Sequence, residues 1–393
     1  MMLTDILLAE IENILPRVVE MRRYLHKNPE LSGEEIETSA YVCGVLSRAG
    51  IEYSVLPEGS GIVAEVGKGE SAIAIRAELD ALPATEQTGL DYASKKPGVM
   101  HACGHDVHLA VGLGLLLLLK PHEDELPCRV RLLCQPAEET VGGADKMIRC
   151  GCLEAPRAER VYGFHVTPGL PVGKVAYLPG VMNAAVTDFE LTVLGKSCHG
   201  AHPEQGIDAI VAASAIVSAL QTVAARNFAP TTPVVVTVGT IKGGTAGNIV
   251  AGEVCLSGTL RALDETVMKQ LTEQVRRVCE QTALGFGAQA QLTYTTCYPP
   301  LNSDPTLTEG TFARVRRLLG EDKVERMDAP SLGADDFAFF CQKAPSCYFN
   351  VGCRGDGQGD EQVLHSALFA PDEGCMRVAL EILCLIAGEN IFK

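Results

Sequence analysis

The order of predicted strands and helices changes partway along this chain of 393 residues, and that change most constrains its fold. Before residue 184 and after residue 298, short β-branched stretches alternate with helical patterns, which is typical of an α/β layer architecture. Between them the order is strand, helix, strand, strand, helix, strand, which is a split βαβ sandwich. The predicted helices lie at 4–27, 34–49, 109–120, 209–225, 265–283, 307–319 and 372–387. The predicted strands lie at 62–66, 72–76, 129–134, 161–166, 187–194, 233–241, 249–260 and 288–295.

The length of the chain favours two domains. A single hydrophobic core rarely grows past about 250–300 residues, and a content of 47% hydrophobic residues is enough to bury a large core. We therefore predict one α/β domain built from residues 1–183 and 299–393. A smaller α+β domain of residues 184–298 interrupts it and has its own core.

Charge and composition exclude several classes of function. The chain has 33 basic and 49 acidic residues, a net charge of −16, which argues against nucleic acid and against an anionic membrane surface as partners. The N-terminus carries acids where a secretory signal carries Lys or Arg. The longest apolar run, 109–119, is shorter than the roughly 20 residues of a membrane span. With 15 scattered cysteines, we predict a soluble, cytoplasmic protein whose thiols are reduced.

Histidines are concentrated in a few short segments. Six of the nine lie in MHACGHDVH (100–108), GFHV (163–166) and CHGAH (198–202), and His365 lies in LHSALF. The acidic segment QPAEE (135–139) directly follows a predicted strand. Cys, His and carboxylate side chains are ligands for borderline divalent metals. We expect each cluster at a strand end or in a loop, where distant segments can converge on one metal site.

Taken singly, these residues have simpler explanations. Cys103 alone would be a buried thiol, and His165 a core histidine with satisfied hydrogen bonds. The pair Glu138–Glu139 alone would be a solvated loop, and both His101 and His108 could serve structure or support a ligand. Together the residues favour a metallohydrolase, in which one glutamate binds the metal. The other takes a proton from the attacking water and passes it to the leaving nitrogen.

The ordered motifs identify a family. The chain is similar to the hippurate hydrolase and auxin-conjugate hydrolase branch of the aminoacylase/carboxypeptidase metalloamidohydrolases, over nearly its whole length. The resemblance implies a discontinuous, metallopeptidase-like α/β/α sandwich with an inserted ferredoxin-like lid and dimerisation domain. The matching segments are RAELDALP, MHACGHDVHLA, QPAEETVGGA, GFHVTP, GKSCHGAHP, GGTAGNIV, SGTLR, GADDF and LHSALF.

The resemblance also implies roles for individual residues. Two divalent metal ions per subunit would be bound, with zinc, manganese, cobalt and nickel all open. The implied general base and acid is Glu138, and His199 is implied to stabilise the oxyanion in the partner subunit. Asn248 and Arg261 match positions that hold the substrate carboxylate, and Asp106 would orient the loop or a histidine ligand. The implied metal ligands are Cys103, His105, Glu139, His165 and His365.

Three positions depart from the pattern of that family. Glu78 stands where aspartate is common, Glu204 follows Pro203 where histidine is usual, and Asp335 replaces a glutamate. None of these removes an implied ligand or the implied base. His202 matches no histidine of the family, so we interpret it as a surface or lid residue.

These observations predict a cytoplasmic metal hydrolase, and the resemblance implies a homodimeric amidohydrolase. Its substrate would be a small N-acyl-amino acid with an acetyl, benzoyl or indoleacetyl group. One alternative is a metal-dependent dipeptidase or aminopeptidase, and another is a catalytically silent metal-binding protein. A redox thiol protein is less favoured, because Cys150 and Cys152 do not form a CxxC motif after a strand.

Overall fold

A computed structural model describes residues 2–140, 142–359 and 362–388. The α-helices in these ranges are α1 (Leu3–Lys27), α2 (Ile36–Arg48), α3 (His105–Leu119), α4 (Gly143–Arg149), α5 (Ala209–Arg226), α6 (Glu265–Gly285), α7 (Pro305–Leu319), α8 (Ala338–Cys341) and α9 (Cys375–Gly388). The strands are β1 (Glu52–Val55), β2 (Ile62–Val66), β3 (Ala72–Glu78), β4 (Arg129–Gln135), β5 (Ala158–Pro171), β6 (Val175–Tyr177), β7 (Gly180–Asn183), β8 (Ala185–Leu194), β9 (Cys198–His199), β10 (Val234–Gly243), β11 (Ile249–Val250), β12 (Glu253–Ala262), β13 (Gln289–Tyr298), β14 (Leu301–Ser303), β15 (Val324–Arg326) and β16 (Ser346–Arg354).

The chain divides into two compact units. The large unit consists of Met1–Met182, Asn302–Ala329 and Asp336–Lys393, and the small unit of Asn183–Leu301 and Pro330–Asp335. The predicted domain boundaries at 184 and 298 lie close to the ends of Asn183–Leu301. The short segment Pro330–Asp335 was assigned by the sequence to the α/β domain, but it packs with the small unit. Backbone hydrogen bonding explains this, since Ala184 N donates to Gly333 O at 2.9 Å.

The large unit is built on a mixed sheet with the order β1-β2-β4-β3-β5-β16-β6-β15. In its centre, β3 pairs in parallel with both β4 and β5, and β16 pairs in parallel with β5. Every residue of β3 is buried, as expected for a central parallel strand. Because parallel strands end at the same edge of a sheet, the residues that follow β3 and β4 are brought together.

Helix α3 lies in the core of the large unit. It is apolar nearly all round and every residue in it is buried, and it packs against α1, α9 and β3. Gly104 precedes the helix with φ +89°, and a Cβ atom there would lie 2.4 Å from Cγ2 of Val166. The turn into α3 therefore requires glycine. It places His105 and His108 in the first helical turn.

The small unit has the βαββαβ order predicted from the sequence. Its sheet is antiparallel with the order β10-β12-β8-β13. Helices α5 and α6 begin at Asp208 and Asp264, whose carboxylates accept backbone N–H groups of the first turn. Such capping satisfies donors that the helix itself leaves unpaired. Apolar residues of both helices and of the sheet form a second hydrophobic core.

Two local predictions are wrong. Residues 249–260 do not form one strand but two, because the chain breaks at Ala251–Gly252 and β11 pairs with β9 instead of joining the main sheet. Glycine is disfavoured inside a strand. The histidine of GFHV was expected at a strand end, but His165 lies within β5, whose pairing with β16 continues as far as Pro171.

Among the described residues, α5 is long and apolar enough to cross a membrane by length and composition alone. One face of this helix, which includes Ala213, Ile216 and Leu220, is buried in the core of the small unit. Packing within the fold therefore accounts for one face of α5, whereas Ile210 and Val211 are exposed. All 15 cysteines lie in the described ranges, and none is paired with another.

Candidate metal centre

The structure brings the five predicted metal ligands together in the large unit. Cys103 Sγ lies 3.2 Å from His165 Nε2, and His365 Nε2 lies 3.2 Å from Glu139 Oε1. His105 Nε2 is 4.0 Å from Glu139 Oε1. The predicted ligands and Glu138 form three overlapping groups whose ligand atoms lie within 4.8 Å of one another, namely Cys103–His105–His165, Cys103–Glu139–His365 and His105–Glu138–Glu139. Glu78 and His108 form a further such group with His105.

Ligands from four parts of the chain meet because of the sheet and the turns around it. Cys103 and His105 flank the start of α3, the glutamates follow β4, and His165 lies on β5. His365 has φ +65°, in the left-handed region, and its N–H donates to Ala102 O at 2.8 Å. A non-glycine residue in this region costs about 1–3 kcal/mol and persists only where surrounding contacts hold it. Strain at this position is typical of a functional site.

The donor set fits a divalent metal. His105 Nε2 is buried and lacks a hydrogen-bond partner, whereas the Nδ1 of the same ring lies 2.9 Å from the Asp80 carbonyl oxygen. A buried polar atom without a partner is costly. When the ring is neutral and Nδ1 donates to that carbonyl, the lone pair on Nε2 points into the group of ligand atoms. Thiol, imidazole and carboxylate groups in this arrangement suit zinc and similar ions.

Burial and neighbouring charges shift the pKa values at this centre. Burial raises the pKa of the Cys103 thiol well above its ordinary value, although His105 opposes the shift. Burial also acts to raise the pKa of Glu139, but His365 and His105 more than offset it and the pKa is lowered. Glu139 is therefore ionised at neutral pH, whereas Cys103 stays protonated without a cation. We expect metal binding to release the proton of Cys103.

The implied general base lies beside the ligands. Glu138 is 8% exposed, and its Oε2 is 4.0 Å from His105 Nε2. The preceding residue, Ala137, has φ +54°, and its N–H donates to the buried carboxylate of Glu35 at 2.8 Å. This contact fixes the turn that presents both glutamates to the same point.

Sequence reasoning missed Asp80. One of its oxygens lies 3.2 Å from His105 Nδ1. The other accepts from Glu139 N at 3.0 Å and from Ser32 Oγ at 2.7 Å. Asp80 therefore orients the ring of one predicted ligand and the backbone of another. The available signal was a second acid two residues after Glu78, directly beyond the end of β3.

Asp106 does not contact the predicted histidine ligands. Its Oδ2 accepts from Arg22 Nε at 2.7 Å and lies 2.8 Å from His26 Nδ1, and both partners lie on α1. Burial acts to raise the pKa of Asp106, but Arg22 and His26 hold it far below its ordinary value. Of the two roles implied for Asp106, the geometry favours orienting the loop by tying the start of α3 to α1.

The predicted substrate-binding residues lie in the small unit. His199 and Asn248 belong to one exposed ribbon, where β9 pairs with β11 and Gly200 N donates to Asn248 O at 2.7 Å. The N–H of Ala201 donates to His199 Nδ1 at 3.0 Å, so the proton of the neutral ring is on Nε2. Arg261 lies on β12 instead, and its guanidinium donates to Leu332 O at 2.8 Å.

Comparison with known proteins identifies the family. The model of peptidase family M20/M25/M40 matches residues 74–386. The chain belongs to this family. It is 40% identical over 352 residues to an N-acetyl-L-cysteine deacetylase of Bacillus subtilis (strain 168), covering 88% of this chain and 83% of that protein. It is 35% identical over 394 residues to thermostable carboxypeptidase 2 of Saccharolobus solfataricus, covering 98% of each.

A solved structure of the M20 family has the same fold. The crystal structure of a dinuclear metal-binding peptidase from Bacillus subtilis superimposes with a TM-score of 0.80 at 33% identity, covering 96% of this chain and 98% of that one. The predicted α/β fold with a large central sheet is thereby confirmed. Membership of the M20 family also confirms the prediction that this protein is an enzyme that hydrolyses amide bonds. The narrower hippurate and auxin-conjugate branch stays a prediction.

Proposed function

We propose that this M20 protein is a dinuclear metal amidohydrolase that cleaves N-acyl-amino acids to a carboxylic acid and a free amino acid. The observation that carries the proposal is the convergence of five ligand side chains on the Glu138–Glu139 pair. The deacetylase relative supports the substrate class, and the dinuclear peptidase structure supports two metal ions. The ions would be held by Cys103, His105, Glu139, His165 and His365.

In this proposal the protein contributes proton transfer and charge stabilisation. Divalent ions bound by these ligands would polarise the scissile carbonyl and acidify the attacking water. Glu138 accepts a proton from that water as its oxygen bonds to the carbonyl carbon. The same carboxyl group then donates the proton to the nitrogen as the C–N bond breaks. One water is consumed, and an acid and an amine are released.

The small unit would supply recognition groups. The Nε2–H of His199 can donate to an oxyanion, and Arg261 with Asn248 would hold the substrate carboxylate, since a guanidinium pairs with a carboxylate through two hydrogen bonds. We propose that His199 acts in the active site of the partner subunit of a homodimer. Edge strand β10 and exposed apolar residues such as Ile210 and Ile241 support dimerisation through the small unit.

A second candidate is a metal-dependent carboxypeptidase or dipeptidase. The carboxypeptidase relative favours it, because the same centre would cleave a peptide bond by the same steps.

The identity of the acyl group in the substrate is also a matter of proposal. The deacetylase relative favours acetyl, whereas the resemblance in sequence favours benzoyl or indoleacetyl. We further propose a cytoplasmic location, in keeping with 15 cysteines that form no disulfide with one another.

Metal content and turnover measured on one sample test the proposal. The purified protein would be chelated, titrated with zinc, manganese, cobalt or nickel, and assayed for release of amino acid from N-acetyl, N-benzoyl and indoleacetyl conjugates and from dipeptides. We expect activity on a conjugate to return near two metal ions per chain. Metal binding without turnover of any conjugate would exclude the N-acyl assignment. Cleavage of dipeptides alone would then favour the peptidase, and no cleavage at all a silent metal-binding protein.

A further inference from the structure

Two charged side chains of β3 have no role in the function proposed above. Arg76 and Glu78 are both fully buried, and they form an ion pair with each other. Arg76 also donates to Gln135 Oε1 at 3.0 Å and to Asp336 Oδ1 at 2.8 Å. Burying ionised groups costs several kcal/mol each, which pairing only partly returns. Burying two apolar side chains would cost less free energy than burying this ion pair. The presence of Arg76 and Glu78 at the centre of the sheet therefore requires an explanation.

On one side, these contacts reach the glutamate segment. The amide of Gln135 donates to both oxygens of Asp336, at 2.9 and 2.8 Å. Asp336 also accepts the N–H of Ala144 at 2.9 Å. Gln135 ends β4, and Ala144 lies in the first turn of α4. The Arg76–Asp336 pair therefore fastens the chain on both sides of Glu138 and Glu139.

On the other side, the contacts reach His165. Glu78 Oε2 lies 2.9 Å from His108 Nδ1, and His108 Nε2 accepts the backbone N–H of Val166 at 3.0 Å. Because a backbone N–H can only donate, Nε2 carries no proton. The proton of His108 is therefore on Nδ1, and it is donated to Glu78. His108 is fixed in one tautomer, with its ring centroid 4.8 Å from that of His165.

We propose that Asp336, Arg76, Glu78 and His108 form a positioning network for the metal centre. The network holds the β5 backbone next to His165 and the segment that carries Glu138 and Glu139 in the geometry that binds metal. His108 is a positioning residue that accepts the N–H of Val166, and Glu78 is a positioning residue that holds His108. This inference rests on the proposed metal centre.

Metal affinity of the full chain, measured by titrating the chelated protein with Co²⁺, tests the network. Glu78→Gln removes the charge that pairs with Arg76, and His108→Asn removes the acceptor for Val166 N–H. Loss of a group that orients a metal ligand weakens affinity about 10–100-fold, and we expect that loss in both variants. His108→Gln should lose less, because its side-chain oxygen lies near the position of Nε2 and can accept from Val166.

A matched control lies in the same sheet. Glu65 pairs with the buried Arg131 of β4 through Arg131 Nε at 2.6 Å, and this pair contacts none of the predicted ligands. Glu65→Gln therefore removes the charge from a pair that is largely buried, with the Glu65 side chain 18% exposed, and it should leave Co²⁺ affinity unchanged. Circular dichroism of each metal-free variant would confirm folding. Glu78→Asp, which keeps the charge but shortens the reach to His108, replaces Glu78→Gln if that variant does not fold.

The outcomes separate this inference from the proposed function. Wild-type Co²⁺ affinity in Glu78→Gln and His108→Asn would overturn the network and leave the metal centre standing. An equal loss in Glu65→Gln would also overturn it, because any buried charge pair would then matter as much. A wild-type protein that binds no Co²⁺ would instead refute the metal centre, and the network with it.

Discussion

The large and small units present their predicted functional residues in different ways. In the large unit, side chains from four parts of the chain converge within 4.8 Å in overlapping groups, in which Cys103, His105 and Glu138 are buried and His365 is exposed. In the small unit, His199 and Asn248 lie on an exposed two-stranded ribbon, whereas Arg261 lies on a different sheet. A metal requires several lone pairs aimed at one point, and hydrogen bonds around the ligands hold them in that orientation. Recognition groups can remain on an open surface until a ligand arrives.

The interiors of the two units also differ in the buried ion pairs that they contain. Among the described residues, fully buried arginines and their acidic partners lie in the large unit, as with Arg22–Asp106 and Arg76–Asp336. The core of the small unit is made of apolar side chains. Buried charges persist where they are paired and hydrogen-bonded. The fully buried arginine pairs of the large unit indicate where the chemistry is preorganised.

The strongest test of this contrast is Glu138→Gln in the large unit. We expect kcat to fall between about 100- and 10,000-fold, because an amide cannot accept the proton of the attacking water. Metal content, measured on the same sample, should not change. Glu154→Gln, an exposed glutamate of the same unit, is the control. Near-full turnover of Glu138→Gln with metal bound would remove this residue from the mechanism.

The second test concerns the exposed ribbon of the small unit. Loss of one oxyanion donor costs about 100–1,000-fold in kcat, so we expect a fall of this order in His199→Ala. His202→Ala, which removes another exposed histidine three residues away, should retain activity. Mixing inactive Glu138→Gln and His199→Ala proteins should restore part of the activity if His199 acts in trans. If both histidine variants behaved alike, the assignment of His199 would be wrong.

Metal binding should distinguish the two units directly. At a free metal concentration 100 times Kd, binding stabilises the structure that holds the ion by about 2.7 kcal/mol. Hydrogen exchange with and without Zn²⁺ should therefore slow at amides of β4, β5 and the first turn of α3. Amides of β8, β12 and β13 should be unaffected. Equal protection of both units would contradict a centre built from the large unit alone.

The smallest expected effect is a pH dependence of stability at Glu86. Burial acts to raise its pKa, but the hydrogen bond from His26 and the one from Ser94 N lower it from 4.5 to about 2. A depressed folded-state pKa stabilises the fold above pH 4.5, and this stability is lost as the pH falls toward 2. Glu86→Gln should cost about 1.5 kcal/mol at pH 6, and less below pH 4, in urea unfolding. A constant difference across this range would refute the assignment.

Much of the fold could be predicted because its signals are local. The helix predicted at 4–27 is Leu3–Lys27, and the strand predicted at 62–66 is Ile62–Val66. Apolar periodicity extends along such elements and does not depend on their partners. The break after β11 and the docking of Pro330–Asp335 were missed, because both depend on pairing with residues far away in the chain.

His101 and His108 show what the sequence determined and what it could not. From the sequence alone these two of the three histidines in the MHACGHDVH segment were indistinguishable, and both could be structural or supporting residues. In the structure, His108 links Glu78 to Val166, across 30 and 58 residues of chain, whereas the ring nitrogens of the buried His101 have no hydrogen-bond partner. The sequence determined the donor types and the elements that carry them. Only tertiary structure decided which donors meet, because a hydrogen bond depends on distances and directions that the fold sets between remote segments.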